Sequence, residues 1–145
     1  MSMFHKVKNI SALPDFMLLA HFIDGTDKLY DMKPLMGEYE AFKGLQTIPG
    51  LYAQVKVDAG GYGISWNEDI DLDAEEIWVN GADTQTPFSG LISFSDATIL
   101  WGLNESTLRK AISYGKLKPG VDAFNFGSQW VVTAKAMERE YKPCT

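Results

Sequence analysis

The sequence predicts an α+β protein, in which a small mixed-sheet domain with short helices precedes a small, mostly helical domain. Three observations lead to this prediction: strand-like apolar segments near the N-terminus, two helical patterns separated by a glycine within residues 93–114, and a polar break before them. The 145 residues can form one ordinary domain or two small ones. With 46% hydrophobic and 12% aromatic residues, the chain can bury a core and is not disordered.

The first elements are predicted to be strands. Residues 7–13 and 17–22 are rich in apolar residues and are separated by the break Pro14-Asp15. Asp24-Gly25 indicates a turn, after which residues 28–31 return as a third strand. Short helices are then expected at Pro34 and at residues 39–42.

A second group of strands is predicted after Pro49-Gly50. Residues 52–57 alternate between two faces, which leaves two registers open, and the face with Val55 and Val57 is the better candidate for the core. The segment 58–61 is expected to form a tight turn leading into a strand at 62–66. Its glycines lack the spacing of a phosphate-binding loop, so the turn is the favoured interpretation.

An acidic segment follows, with Asp or Glu at positions 69, 71, 73, 75 and 76. A calcium loop needs a glycine at a fixed position among its acids, and this segment has none there. We therefore expect Asp73 to cap a helix, with Glu76 completing a capping box.

Residues 6–79 resemble domain-of-unknown-function family 2442, which comprises small bacterial α+β domains. The resemblance is carried by FIDGTDKLYDM, PLM and VKVDAGGYGISW, and above all by NEDIDLDAEEIW. It implies a small sheet with short helices and no catalytic residues. It also implies that the domain can be joined to a helix-turn-helix or can serve as the antitoxin-like partner of a toxin.

The segment 81–90 is the best candidate linker, because it is polar and contains Pro87. We therefore predict domains at residues 1–80 and 91–145.

The net charge differs between the N-terminal and C-terminal halves of the chain. Residues 1–85 carry 6 Lys and Arg against 14 Asp and Glu, whereas residues 86–145 carry 7 against 5. A mildly basic half permits nucleic-acid binding but argues for it only weakly.

Two short helices joined by a tight turn are predicted within residues 93–114. Ser95 is expected to cap the first helix, which ends near Trp101, and Gly102 supplies the turn. Asn104 is expected to cap a second helix over residues 105–114, and Leu103 to fill the angle between the two helices. This is a helix-turn-helix pattern, in which the second helix can enter the major groove of DNA.

The second helix has two different faces. Leu108, Ala111 and Ile112 share one face, which is expected to pack on Phe94, Ala97, Leu100 and Trp101. The opposite face is polar and basic, so it is either a DNA-contacting surface or simply a solvated one. With the lysines and polar residues that follow, the candidate DNA-binding residues are Ser106, Thr107, Arg109, Lys110, Ser113, Lys116, Lys118, Ser128 and Gln129.

The remaining residues predict a loop at 123–129, a strand at 130–132 with Trp130 in the core, and a last helix at 134–141 capped by Thr133. The sequences WGLNESTLRKAISYGKL, FGSQWVVT and MEREY are similar to winged helix-turn-helix domains of the MerR and excisionase kind. Thr98 departs from the alanine common in that pattern, and its hydroxyl needs a carbonyl one turn back. Ile99 points away from the predicted core.

Together with the two resemblances, these patterns predict a bacterial DNA-binding transcriptional regulator that binds double-stranded DNA as a homodimer, with the acidic domain serving dimerisation or partner binding. The alternative is an antitoxin-like module that binds a protein such as a toxin. No nucleophile–base pairing, cofactor motif or metal-ligand spacing is found, which argues against an enzyme, and His21 is interpreted as structural. Cys144 is the only cysteine, and neither a membrane span nor an export signal is found, so a cytoplasmic location is expected.

Overall fold

The computed structural model describes residues 5–141, which divide into two compact units. The first unit comprises residues 5–22 and 26–87, and the second comprises residues 88–141 together with 23–25. Both units combine small antiparallel sheets with short helices, so the predicted α+β class is confirmed. No helix among residues 5–141 has the length and apolar character that a bilayer crossing demands.

The first unit contains two small sheets. The larger has the strand order β1-β2-β3-β7 and the smaller β4-β5-β6, and every pair is antiparallel, so the predicted mixed sheet is not found. The strands are β1 (Val7–Leu13), β2 (Met17–Phe22), β3 (Asp27–Asp31), β4 (Lys56–Val57), β5 (Gly63–Ser65), β6 (Asp71–Asp73) and β7 (Ala82–Thr84). The helices are α1 (Lys33–Glu38), α2 (Gly44–Thr47) and α3 (Ala74–Asn80).

The core of the first unit lies where β2 meets the helices. Burial alternates along β2, so that Leu18, Ala20 and Phe22 face inward, as the period of a strand requires. From α3, Ile77 is fully buried against the same cluster. The strands predicted at residues 7–13 and 17–22 are confirmed to the residue.

The strand predicted at residues 52–57 is largely wrong. Tyr52–Gln54 forms a single turn of 3-10 helix, and only Lys56–Val57 is a strand. The Tyr52 hydroxyl donates to the Met17 carbonyl oxygen at 2.6 Å, and the Trp66 indole donates to the Tyr52 carbonyl at 3.1 Å. These two hydrogen bonds hold Tyr52 against the core in a helical turn, and not in the predicted strand. Val55 and Val57 do pack on the core, so the favoured face is confirmed.

The capping box predicted for α3 is half right. The Asp73 carboxylate accepts from the Glu75 backbone N–H at 3.0 Å, as an N-cap should. Glu76 instead accepts from the Tyr30 hydroxyl and from the Asn80 amide, both at 2.8 Å. Burial and the Glu76 carboxylate together hold the pKa of Tyr30 well above its usual range.

The predicted linker at residues 81–90 is wrong in its first part. Ala82–Thr84 forms β7, an edge strand that pairs with β3 through Leu29 and Ala82. The Thr86 hydroxyl then donates to the buried Asp27 carboxylate at 2.8 Å. Edge strands tolerate exposed polar residues, which is why this segment has the composition of a linker.

The second unit consists of three helices and a three-stranded sheet. Its elements are β8 (Leu91–Ser93), α4 (Phe94–Trp101), α5 (Glu105–Ser113), β9 (Ala123–Phe126), β10 (Gln129–Thr133) and α6 (Ala134–Glu140), with the antiparallel strand order β8-β10-β9. The loop predicted at 123–129 is wrong, because β9 and β10 form a hairpin across Gly127-Ser128. Thr133 caps α6 as predicted, since its hydroxyl accepts from the Ala136 N–H at 3.0 Å.

Candidate nucleic-acid interface

The two helices α4 and α5 are joined by a turn of three residues. Gly102 adopts the left-handed conformation, with φ of 66° and ψ of 38°, which glycine reaches without steric cost. Leu103 follows and is half-buried against the core, as predicted. Its N–H donates to the Thr98 carbonyl oxygen at 2.9 Å, so the turn also satisfies the end of α4.

The start of α4 differs from the prediction by two residues. Ser93, and not Ser95, is the N-cap, and its hydroxyl accepts from the Asp96 N–H at 3.1 Å. Ser93 is also the last residue of β8, so the strand fixes where the helix begins. The Thr98 hydroxyl donates to the Ser95 carbonyl at 2.6 Å, which supplies the partner that a threonine at this position was expected to need.

The apolar face of α5 fixes the orientation of the helix. Leu108 is fully buried and Ala111 is buried, while Ile112 packs on the same cluster. That cluster contains the four α4 residues predicted to receive this face, so the predicted packing is confirmed. Asn104 occupies the N-cap position of α5, although its side chain makes no capping bond.

The opposite face of α5 carries most of the predicted contact residues. Ser106, Arg109, Lys110 and Ser113 are exposed, and Thr107 is half-buried. Arg109 Nη2 lies 2.9 Å from Glu105 Oε2, one helical turn earlier. The carboxylate therefore offsets part of the positive charge of this face.

Lys116 and Lys118 line a concavity of about 410 Å3 between the end of α5 and α6. Asp122 lies in its wall, where its carboxylate accepts from Arg139 Nη2 at 2.9 Å, from Arg139 Nη1 at 3.2 Å and from the Lys118 N–H at 2.9 Å. The Arg139 guanidinium and the Lys118 amide lower the pKa of Asp122 below its usual range. Lys116 Nζ lies 4.4 Å from the ring centroid of Tyr141, within cation–π distance.

The β9–β10 hairpin carries the last two predicted contact residues. Ser128 lies in its turn, and Gln129 begins β10; both are exposed. Phe126, directly across from Gln129 in the register, has 86% of its surface exposed. On the other face of the hairpin Trp130 stacks on Phe94 with ring centroids 5.8 Å apart, so the core position predicted for Trp130 is confirmed.

The predicted contact residues thus occupy three places in the second unit: one face of α5, the concavity beside α6 and the tip of the hairpin. Sequence reasoning missed Arg139, Asp122 and Phe126. The ion pair has no local signal, because 17 positions separate its partners. Phe126 directly precedes Gly127 in FNFGS, and a phenylalanine beside a turn glycine was a usable indication of an exposed tip.

His5 and His21, both in the first unit, are each paired with a carboxylate. His21 Nδ1 lies 2.7 Å from the buried Asp27, which is the hydrogen-bond partner that a structural histidine requires. His5 bonds to Glu75 at 2.9 Å and stacks on Trp78 at 3.7 Å. Within residues 5–141, no three His, Cys, Asp or Glu side chains are grouped to hold a metal ion. Cys144 lies outside the described residues.

Together the two units define a class of small α+β protein, in which an antiparallel sheet unit precedes a unit built from a tight helix pair and a β-hairpin. Residues 7–83 match the model of the family described as a protein of unknown function (DUF2442), and this match covers more than half of the chain. The chain belongs to that family, and the resemblance predicted for residues 6–79 is confirmed. Searches of curated proteins and of solved structures returned no match.

Proposed function

We propose that this protein is a DNA-binding transcriptional regulator in which α5 is the recognition helix of a winged helix-turn-helix domain of the MerR and excisionase kind. The β9–β10 hairpin is its wing, and the acidic first unit serves for dimerisation or partner binding. The observation that carries the proposal is the division of α5 into a buried apolar face and an exposed polar face. That division leaves Ser106, Arg109, Lys110 and Ser113 available to a groove.

The chemistry of the exposed face supports this proposal. Arginine can bond in bidentate fashion to guanine, and lysine and serine reach phosphate oxygens. Lys116 and Lys118 follow α5 in the chain and are exposed in the concavity beside α6, so they add positive charge for phosphate contacts next to the helix. A single short recognition helix makes few base contacts, so specific binding requires two copies on neighbouring half-sites, and we expect a homodimer.

The direct test begins with selection of a binding duplex from a random-sequence pool by the full-length protein. Binding of that duplex is then measured by fluorescence anisotropy across a range of salt concentrations. The double variant Arg109→Ala, Lys110→Ala should lose roughly tenfold to a hundredfold in affinity, and the slope of log K against log salt should fall by about 2.

A matched control removes two cations from the first unit through Lys43→Ala and Lys56→Ala, which changes the net charge equally. Both lysines are exposed, and neither lies on the proposed interface. The control should leave affinity and salt slope close to those of the wild type. Equal effects of the two double variants, or the absence of any enriched duplex, would contradict the proposal.

A second candidate function is an antitoxin-like module that binds a basic protein such as a toxin. It is favoured by the exposed acids Glu68, Asp69, Asp71 and Asp73, which lie close together along β6 and the turn before it. Such a surface would attract a basic partner. Stable co-purification with a basic protein encoded by a neighbouring gene, combined with no enriched duplex, would favour this function over DNA binding.

A further inference from the structure

The tip of the β9–β10 hairpin presents a large apolar ring to solvent. Phe126 is 86% exposed and is the last residue of β9 before the turn Gly127-Ser128. The hairpin itself is well anchored, because Val132 is fully buried and β10 pairs with β8 as well as with β9. The ring therefore lies at the tip of a hairpin whose base is buried and paired on both sides of β10.

The hairpin that carries the ring is uncharged. Residues 123–133 contain no charged side chain, so nothing on the hairpin repels phosphates. Ser128 and Gln129 flank the ring with hydrogen-bonding groups. An apolar wedge beside short polar side chains is the arrangement by which minor-groove proteins unstack a base step.

We propose that Phe126 inserts between adjacent base pairs from the minor groove and kinks the duplex. This inference rests on the DNA-binding function proposed above, and it assigns the wing a role distinct from that of α5. The recognition helix reads base edges and phosphates, whereas the ring at the hairpin tip acts through the deformability of the base step.

The extent of the apolar surface favours DNA over a protein partner at this position. A specific protein interface buries on the order of 1,000 Å2 or more around an apolar centre, whereas this hairpin face presents one mostly exposed ring. The nearest apolar residue on the same hairpin face, Phe124, is only 38% exposed. A wedge needs no wider patch, because one ring fills one base step.

The test uses the full-length protein and the duplex that it selects from a random pool. Three quantities are measured: affinity, duplex bending by end-to-end energy transfer, and unstacking by the fluorescence of 2-aminopurine placed at successive positions. Phe126→Ala should lower affinity roughly tenfold and abolish both the bend and the fluorescence rise. Its salt slope should remain that of the wild type, because no charge is removed.

Two further variants control for side-chain loss in general. Phe126→Leu keeps an apolar wedge and should retain much of the bend, whereas Phe124→Ala removes a ring two positions from the tip and should leave the bend unchanged. If the wild type binds without bending the duplex, or if Phe126→Ala bends it normally, the wedge is refuted while the proposed function stands. If Phe126→Ala instead dissolves a dimer and leaves bending intact, the ring belongs to a protein contact and the wedge is also refuted. If no duplex is bound at all, the proposed function and the wedge fail together.

Discussion

The ion pair between Asp122 and Arg139 allows a quantitative prediction of how the second unit is held together. Asp122 is buried, with 5% of its surface exposed, and its carboxylate accepts three hydrogen bonds. Those bonds connect α6 to the segment between α5 and β9. Asp122→Asn keeps the shape but replaces one acceptor oxygen by an amide group that faces donors from Arg139 or Lys118.

The expected cost of Asp122→Asn is about 2 kcal/mol in the free energy of unfolding at neutral pH, at the middle of the range for hydrogen bonds to a charged group. The expected cost lies below the upper end of that range, because the Arg139 side chain is 51% exposed and solvent screens the ion pair. For a unit of this size, that cost corresponds to a melting temperature lower by roughly 10 °C.

The pH dependence provides an independent check. The folded protein lowers the pKa of Asp122, so the unfolded chain binds more protons, and this carboxylate contributes stability at pH values above its unfolded pKa of about 4. The contribution is lost as the pH falls through the folded pKa. The stability difference between wild type and Asp122→Asn should therefore be full at neutral pH and shrink in strong acid.

Urea unfolding at several pH values measures this difference, with Glu138→Gln as a control because Glu138 is an exposed acid on α6. The control should stay close to the wild type throughout. A stability difference below about 0.5 kcal/mol at neutral pH, the usual size of a surface effect, would refute the reasoning. So would a difference that does not change with pH.

Two more predictions concern a buried glycine and the charge of the α5 face. Gly61 has a φ of 81°, and an added Cβ would lie 2.8 Å from the Val7 carbonyl oxygen, so Gly61→Ala should destabilise the first unit by more than about 1 kcal/mol. Gly37→Ala, in α1 with open space around it, should be neutral or slightly stabilising in the same urea titration, and equal effects at both sites would contradict the prediction. Glu105→Gln removes an acid that pairs with Arg109 and repels phosphates, so it should raise affinity for the selected duplex roughly threefold. Unchanged or weaker binding would show that this end of α5 does not face DNA.

The elements that the sequence predicts well are those whose information is local. Residues 7–13 and 17–22 carry strand-forming residues on both sides of Pro14-Asp15, and the structure has strands at those positions. Gly102 likewise marks the turn between α4 and α5, because few other residues adopt its positive φ. The apolar spacing of Leu108 and Ala111 was enough to identify the buried face of α5.

The failed predictions concern features that depend on distant residues. Ser93 and Ser95 are equally good caps by composition, and the choice between them follows from the pairing of Ser93 with Val131 in the sheet. Glu76 does not form the predicted capping box, because its carboxylate accepts a hydrogen bond from the hydroxyl of Tyr30 in β3. Tyr52 forms a turn because its hydroxyl bonds to β2. The same distinction holds for the candidate site: the exposed face of α5 could be predicted from local spacing, whereas the ion pair between Asp122 and Arg139 could not.

The pairing of β7 with β3 determines where the first unit can be cut from the chain. A fragment ending at Asn80, where composition suggests the boundary, would leave the outer backbone groups of β3 without their β7 partners. It would also lack Thr86, whose hydroxyl donates a hydrogen bond to the buried Asp27 carboxylate. Exposed strand edges recruit other chains, so that fragment should aggregate, whereas one that continues past Thr86 keeps the edge covered. The last strand of this sheet thus protects the solubility of the whole unit.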